Sequence, residues 1–233
     1  MEIEQKYLLL KACNLFKDCS EESLYSIAAD TYHRSYEKGD IVVSENAAIH
    51  KISIIVSEGR MKIYTFNPTK SEEYIVYVLK HGDLFNCIHL FDDKKDYLSA
   101  MAMDNLEILH CNIDFGRNWI IKHQAFNKNL LSYLASRLRL AIDYNVSKTF
   151  FNIELRLAML IFQNVSSEDN KLNLINDLSH QEIAQIMGTT RAVVNRNLQK
   201  LKKDGLIDIK YKEIVIQNYG KLKSMILEFE DNP

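Results

Sequence analysis

No stretch of the chain approaches the roughly 18 consecutive apolar residues that a membrane-spanning helix needs. The opening Met1-Glu2-Ile3-Glu4-Gln5-Lys6 also lacks the basic-then-apolar layout of a secretory signal. Both absences point to a cytoplasmic protein with no membrane partner. Cysteine is sparse: Cys13, Cys19, Cys87 and Cys111 do not look like a disulfide framework in a chain long enough to bury its own core, so they read as reduced thiols or ligands. A surplus of positive charge is missing as well. With 29 Lys/Arg against 31 Asp/Glu the net charge is -2, which excludes a generally basic nucleic-acid coat and leaves room only for a local basic patch. Internal repeats and low-complexity tracts are absent. The seven glycines (Gly39, Gly59, Gly82, Gly116, Gly188, Gly205 and Gly220) each fall where an apolar pattern stops, as expected of turn residues.

What remains is the composition of a soluble globular protein: 233 residues, 47% apolar and 26% charged, a length that suits two modest domains. Ser20 caps a first helix whose apolar face is Leu24, Ile27 and Ala28. From Tyr36 to Cys111 short β-branched or aromatic runs follow, bounded by Gly, Asp, Asn or Pro: Ile41–Val43, Ile52–Val56, Met61–Tyr64, Tyr74–Val78 and Glu107–Cys111. That many short strands predicts a β-sandwich or jelly-roll barrel, and with the helices around it an α+β chain. From Trp119 the period becomes helical. One stripe carries Leu130, Tyr133, Arg137, Leu140 and Tyr144, and an adjacent one Phe126, Leu131, Leu134, Leu138 and Ile142. A helix apolar on two stripes must bury both. One stripe on the barrel and one on a second copy satisfies this, and the stripe starting at Leu130 is assigned to the dimer seam; a single broad core face is the competing reading. The expected boundaries are 1–116 for the barrel, 117–147 for the dimer helix and 148–233 for a C-terminal domain. The last opens with a helical pattern from Phe151 to Val165 and a polar loop at Ser166–Lys171.

The informative segment runs from Leu178 to Leu201. Ser179 with Glu182 three residues on makes a capping box, Ala184 is small enough for a second helix to come close, and Gly188 supplies a turn. Thr190 caps a second helix whose Val194, Leu198 and Leu201 share one face. Two helices joined by a tight glycine turn form a helix-turn-helix. Its outer face presents Thr190, Arg191, Asn195, Arg196 and Gln199, which can reach bases or phosphates from a helix lying in the major groove. Between residues 179 and 212 there are seven Lys/Arg (Arg191, Arg196, Lys200, Lys202, Lys203, Lys210, Lys212) and three acids (Glu182, Asp204, Asp208), a local +4 in a chain of net -2. Phosphate contact requires such a field; an ordinary helical pair with a solvated basic face is the bland alternative. Ile207–Lys210 and Glu213–Ile216 then predict a hairpin, so the domain is winged.

A barrel, a long helix and a winged helix-turn-helix in this order resemble the cyclic AMP receptor protein/FNR (Crp/Fnr) superfamily of bacterial transcription regulators. The resemblance covers essentially the whole chain. Residues 179–191 carry it most specifically, and Lys38-Gly39-Asp40 and His81-Gly82-Asp83-Leu84-Phe85 are similar to the family's barrel turns. It implies a homodimer that binds a pseudo-palindromic operator in double-stranded DNA, with RNA polymerase as a further partner if the protein is an activator. Ser179, His180, Gln181 and Lys200 join the outer-face residues as DNA contacts, with Arg191 and Arg196 at base- and phosphate-contacting positions. Ala192 departs from the pattern, since many members carry Glu there; the preferred half-site should differ accordingly.

The resemblance also frames the effector. Members that bind cyclic nucleotide use a Gly-Glu pair and a later Arg-Ser pair. Here the stretches read Phe85-Asn86-Cys87-Ile88-His89-Leu90-Phe91 and Asp96-Tyr97-Leu98-Ser99-Ala100, with no arginine before Ser99. A buried cyclic phosphate would lack its cation, which argues against cyclic AMP. The oxygen-sensing branch implies a [4Fe-4S] cluster; Cys111 and Cys13 resemble two of its ligands, Cys19 and Cys87 would have to complete the set, and the preceding Cys-x-x-Cys is missing. Cys87-Ile88-His89 is similar, displaced by one residue, to the Cys-x-His with which the carbon monoxide sensors hold haem iron; a buried thiol beside a surface histidine is the plain alternative. His110 beside Cys111 is a weaker ligand candidate. A small organic effector lined by Phe85, Phe91, Met101 and Met103 is the fourth reading, against simple core packing. No Ser/His/Asp order or phosphate-cradling loop suggests an enzyme. A cyclic-nucleotide-type module acting through protein partners, without DNA, is the competing class.

Overall fold

A computed structural model describes residues 1–44, 50–69, 72–94, 97–165, 172, 174–175, 177–210 and 213–230. The expected polar loop at 166–171, Asp96 and the Lys212 of the basic count fall outside the described residues. The elements are α1 (Ile3–Ala12), α2 (Glu21–Ala29), β1 (Thr31–Tyr36), β2 (Ile41–Val43), β3 (Lys51–Ile55), β4 (Met61–Asn67), β5 (Glu72–Leu79), β6 (Leu84–Phe85), β7 (Ser99–Ala102) and β8 (Leu106–Asn112). They are followed by α3 (Ile113–Lys122), α4 (Gln124–Phe150), α5 (Ile153–Gln163), α6 (His180–Met187), α7 (Arg191–Lys203), β9 (Ile207–Lys210), β10 (Glu213–Ile216) and α8 (Tyr219–Glu230). The chain divides into two compact units, residues 1–71 with 76–138, and residues 72–75 with 139–233. The division falls within α4, after Leu138.

In the first unit two four-stranded sheets, ordered β1-β8-β3-β6 and β2-β7-β4-β5, face each other. The two-residue period sorts the side chains of β8: Leu106 and Ile108 join Met61, Ile63, Ala100 and Ala102 between the sheets. Leu109 and Cys111 point the other way, into a layer built with Leu10, Phe16, Ile27, Trp119, Phe126 and Leu130. Ser20 accepts from the Ser23 N–H and starts α2 as expected. Gly116 lies in a close approach: a Cβ there would lie 2.7 Å from Leu90 Cδ2 and 3.0 Å from Ile52 Cδ1, so those side-chain ends would have to shift. Residues 113–116, the end of the expected barrel domain, begin α3, because Asn112 caps a helix by accepting from the Asp114 N–H.

The stripe assigned to the dimer seam is largely engaged within the chain, and the adjacent stripe is split: Phe126 is fully buried and Leu134 packs on the same core, while its remaining members are exposed. Leu130 is fully buried against its own chain. The Tyr133 hydroxyl donates to the Leu84 carbonyl at 3.3 Å and accepts from the Leu84 N–H at 3.2 Å. Arg137 pairs with Asp83 at 2.5 Å and lies over the Tyr133 ring. Apart from Leu140, which is exposed, the stripe assigned to the dimer seam is thus engaged within the chain; Tyr144, its last member, hydrogen-bonds to Tyr74. Leu131, Leu138, Ile142 and Val146 lie exposed instead. Periodicity identifies two stripes but cannot say which positions the barrel covers.

The second unit holds α5, α6, α7, the antiparallel hairpin β9–β10 and α8, with Leu155, Leu157, Ala158, Ile161, Val194, Leu198 and Leu201 buried. Asn152 caps α5 by accepting from the Leu155 N–H, so the helical pattern expected from Phe151 starts two residues later.

Candidate nucleic-acid interface and sensor interior

Local chemistry dictates the shape of the helix pair. The Ser179 hydroxyl accepts from the Glu182 N–H at 3.2 Å, and the Glu182 carboxylate accepts in return from the Ser179 N–H at 2.8 Å and from its hydroxyl at 2.7 Å. Gly188 closes α6 at φ +63°, a left-handed conformation that a side chain would strain. Thr190 then caps α7 by accepting from the Val193 N–H. Burial of Ile183, Ala184 and Met187 on one helix and of Val194, Leu198 and Leu201 on the other leaves the opposite face of α7 free. On it Thr190, Arg191, Ala192, Asn195, Arg196, Gln199 and Lys200 are exposed together, with Gln181 exposed and His180 half-buried at the start of α6.

The cations are not equivalent. Lys200 pairs with Glu154 at 2.5 Å, and Lys202 pairs with Asp208 at 2.7 Å, which Lys210 approaches at 3.9 Å. Arg191, Arg196 and Lys203 have no ion-pair partner among the described residues. The three arginine and lysine heads left unpaired are the ones available to an outside anion. Two residues in this unit escaped sequence reasoning: Glu154, which holds Lys200, and Arg156, buried behind the turn with its guanidinium donating to the Met187 carbonyl at 3.0 Å. The available signal was a charged residue inside the apolar run Leu155-Arg156-Leu157.

In the first unit the sensor candidates part company. Phe85 is core between the sheets, whereas Asn86 turns the chain at φ 64° and donates from its amide to the Lys51 carbonyl at 3.2 Å. Cys87 and His89 sit in a single 3-10 turn, Cys87–Leu90. With three residues per turn, side chains two apart point in widely different directions. Cys87 packs on the layer containing Leu10 and Phe16, where burial pushes its thiol up to about 11. His89 is buried, correcting its reading as a surface residue, and approaches Asp92 at 3.9 Å; Arg117 donates to its carbonyl. Cys13 donates its S–H to the Leu9 carbonyl and Cys111 to the Asn112 carbonyl, and burial raises both thiols. His110 is fully buried, hydrogen-bonded at 2.9 Å to both the Tyr36 and Ser53 hydroxyls. Ser99 is buried at the start of β7, preceded by Leu98. Phe85 and Met103 are core while Phe91 is exposed, so the imagined apolar pocket is not assembled from these side chains.

Comparison with known proteins agrees with this architecture. Residues 155–225 match the Crp-like helix-turn-helix domain and residues 33–121 the cyclic nucleotide-binding domain. The CRP-like cAMP-activated global transcriptional regulator of Mycobacterium tuberculosis is 24% identical over 92% of this chain and 96% of its own length. The global nitrogen regulator of Synechococcus elongatus is 22% identical over 78% of this chain and 84% of its own. Among solved structures, a CooA variant from Carboxydothermus hydrogenoformans superposes with a TM-score of 0.72 at 25% identity, covering 85% of this chain and 88% of the other. The chain belongs to the Crp/Fnr superfamily. Its relatives are transcription regulators rather than enzymes, and its fold is the family's: β domain, long helix, C-terminal helix-turn-helix. No helix among the described residues is long and apolar enough to cross a membrane.

The groups that other Crp/Fnr regulators hold fit these residues poorly. Cys87 and His89 lie two residues apart on a single 3-10 turn and diverge, so the pair does not converge on one iron. An iron–sulfur cluster needs converging cysteines, and no trio of His, Cys, Asp or Glu suited to a metal exists among the described residues. Cyclic AMP would find Leu98 where the family's phosphate-pairing arginine stands.

Proposed function

We propose that this Crp/Fnr regulator acts as a homodimer on a pseudo-palindromic site in duplex DNA, each copy laying α7 in the major groove. The observation that carries this reading is the exposed face of α7, on which Arg191 and Arg196 stand without an ion-pair partner among the described residues, beside Asn195 and Gln199. Arg191 suits a base edge or phosphate near the helix start, and Arg196 a phosphate one turn on. Gln181, His180 and Thr190 flank them, whereas Ser179 acts chiefly through its capping box. The dimer seam is the exposed line Leu131, Leu138, Ile142 and Val146, at coiled-coil spacings of seven and four. The effector that controls binding is a small molecule other than cyclic AMP, received by the β domain and acting by population shift. The protein works in the cytoplasm, and RNA polymerase is its further partner where it activates.

Selection of bound duplexes from a random pool tests this. The expected product is a two-fold site with half-sites about one helical turn apart. Arg196→Ala should weaken all sequences alike, and Ala192→Glu should change the half-site, since a carboxylate accepts from cytosine where a methyl group cannot. Failure to enrich any sequence, or an unchanged site for Ala192→Glu, would overturn the assignment.

A further inference from the structure

Behind the helix-turn-helix, within the second unit, four groups form a continuous chain. The Tyr74 hydroxyl donates to the Tyr144 hydroxyl at 2.6 Å. The Tyr144 ring lies 5.7 Å from the Arg156 guanidinium carbon. Arg156, only 8% exposed, donates to the carbonyl of Met187, the last residue of α6. The chain closes at the turn itself, where a Cβ on Gly188 would meet the Tyr74 ring at 3.5 Å and the Tyr144 hydroxyl at 4.0 Å.

Arg156 is a buried cation with no carboxylate partner among the described residues. Two things compensate it: the negative end of α6 and the π face of Tyr144. A buried charge satisfied this way is sensitive to the position of both, because displacing either leaves it uncompensated. Tyr74 fixes Tyr144, and it arrives on β5, whose first four residues belong to this unit while the rest belong to the first.

We propose that Tyr74, Tyr144 and Arg156 are positioning residues for DNA recognition, setting the α6–α7 turn from behind so that α7 is presented in its binding pose. None of the three touches DNA in this arrangement. The pose costs less to adopt because the turn is already held, and affinity falls when it is released. The proposal rests on the DNA-binding reading above and deepens it.

The test is a double-mutant cycle on DNA affinity with the full-length protein. Binding is measured on the duplex selected by the wild type and normalised to the active fraction from stoichiometric titration. Tyr74→Phe and Tyr144→Phe each remove one hydroxyl and keep the ring. Each should weaken specific binding by about 2- to 10-fold, the range of one hydrogen bond, and the double variant should be no weaker than either single one. The slope of affinity against salt should stay at the wild-type value, since no phosphate contact is lost. Arg156→Lys should retain more affinity than Arg156→Met, because an ammonium still donates to the Met187 carbonyl. Unchanged or tighter binding by both tyrosine variants, or additive losses in the double variant, would overturn the proposal. A wild type that binds no DNA would instead remove the functional reading on which it stands.

Discussion

Lys200 Nζ stands 2.5 Å from Glu154 Oε2, so the cation at the C-terminal end of the recognition face is held by the helix beside it. The pair raises the Lys200 pKa, chiefly through the hydrogen bond with Glu154, and it is solvent-exposed on the lysine side. A phosphate at that place competes with a carboxylate already in possession. Glu154→Gln removes the competitor and keeps the size of the side chain. Affinity for non-specific duplex should rise, and the slope of log affinity against log salt should steepen by about one unit. Equilibrium binding across a salt series checks it, and an unchanged slope would show that Lys200 takes no phosphate.

Leu130 and Leu138 are two turns apart on α4 and do opposite work. Leu130 is fully buried in its own chain, and Leu138 is 63% exposed. Leu130→Ala should lower the stability of the first unit by about 2–5 kcal/mol through loss of burial and the cavity left behind. Leu138→Glu should leave that stability nearly unchanged and shift sedimentation from dimer to monomer, because it places like charges opposite each other in the seam. A wild type that sediments as a monomer, or a Leu138→Glu variant that stays dimeric, would contradict the seam.

His110 makes the first unit acid-sensitive. Burial, with Lys51, Arg34 and His33 adding to it, pushes its pKa down to about 3, so the folded imidazole stays neutral. In the unfolded chain the group takes a proton below about pH 6.5. Its contribution is therefore whole above that pH and is lost as pH falls toward 3, at up to about 1.4 kcal/mol per pH unit. The single tryptophan, Trp119, belongs to this unit and reports its unfolding. Urea titrations followed by its fluorescence at pH 6.5, 5.5 and 4.5 should show a steeper loss for the wild type than for His110→Gln. Parallel losses would mean that the imidazole does not carry the effect.

Capping, turn and helix-face signals were legible wherever the physics is local. Ser20, Ser179 with Glu182, Gly188 and Thr190 do in the structure what their neighbours in sequence imply, because each bond closes within a few residues. The hairpin Ile207–Lys210 with Glu213–Ile216 is likewise present. Strands β1 and β7 went unread because Tyr32-His33-Arg34-Ser35 and Ser99-Ala100 look polar or small; they are strands through their pairing with β8, β2 and β4. The spatial relation between the sensor candidates was illegible for a related reason. Cys87 and His89 are only two residues apart in sequence, yet a 3-10 turn separates their directions and burial raises the Cys87 thiol.

Sequence alone determined the family, the order of its parts and the polar face of α7, since these follow from periodicity and from bonds between near neighbours. Tertiary structure alone decided which positions of α4 are covered, which cations of the recognition face lack an ion-pair partner among the described residues, and that Arg156 closes the end of α6. Those depend on groups brought together from distant parts of the chain, and no local pattern encodes which of several chemically similar partners will arrive first at a given charge or apolar face.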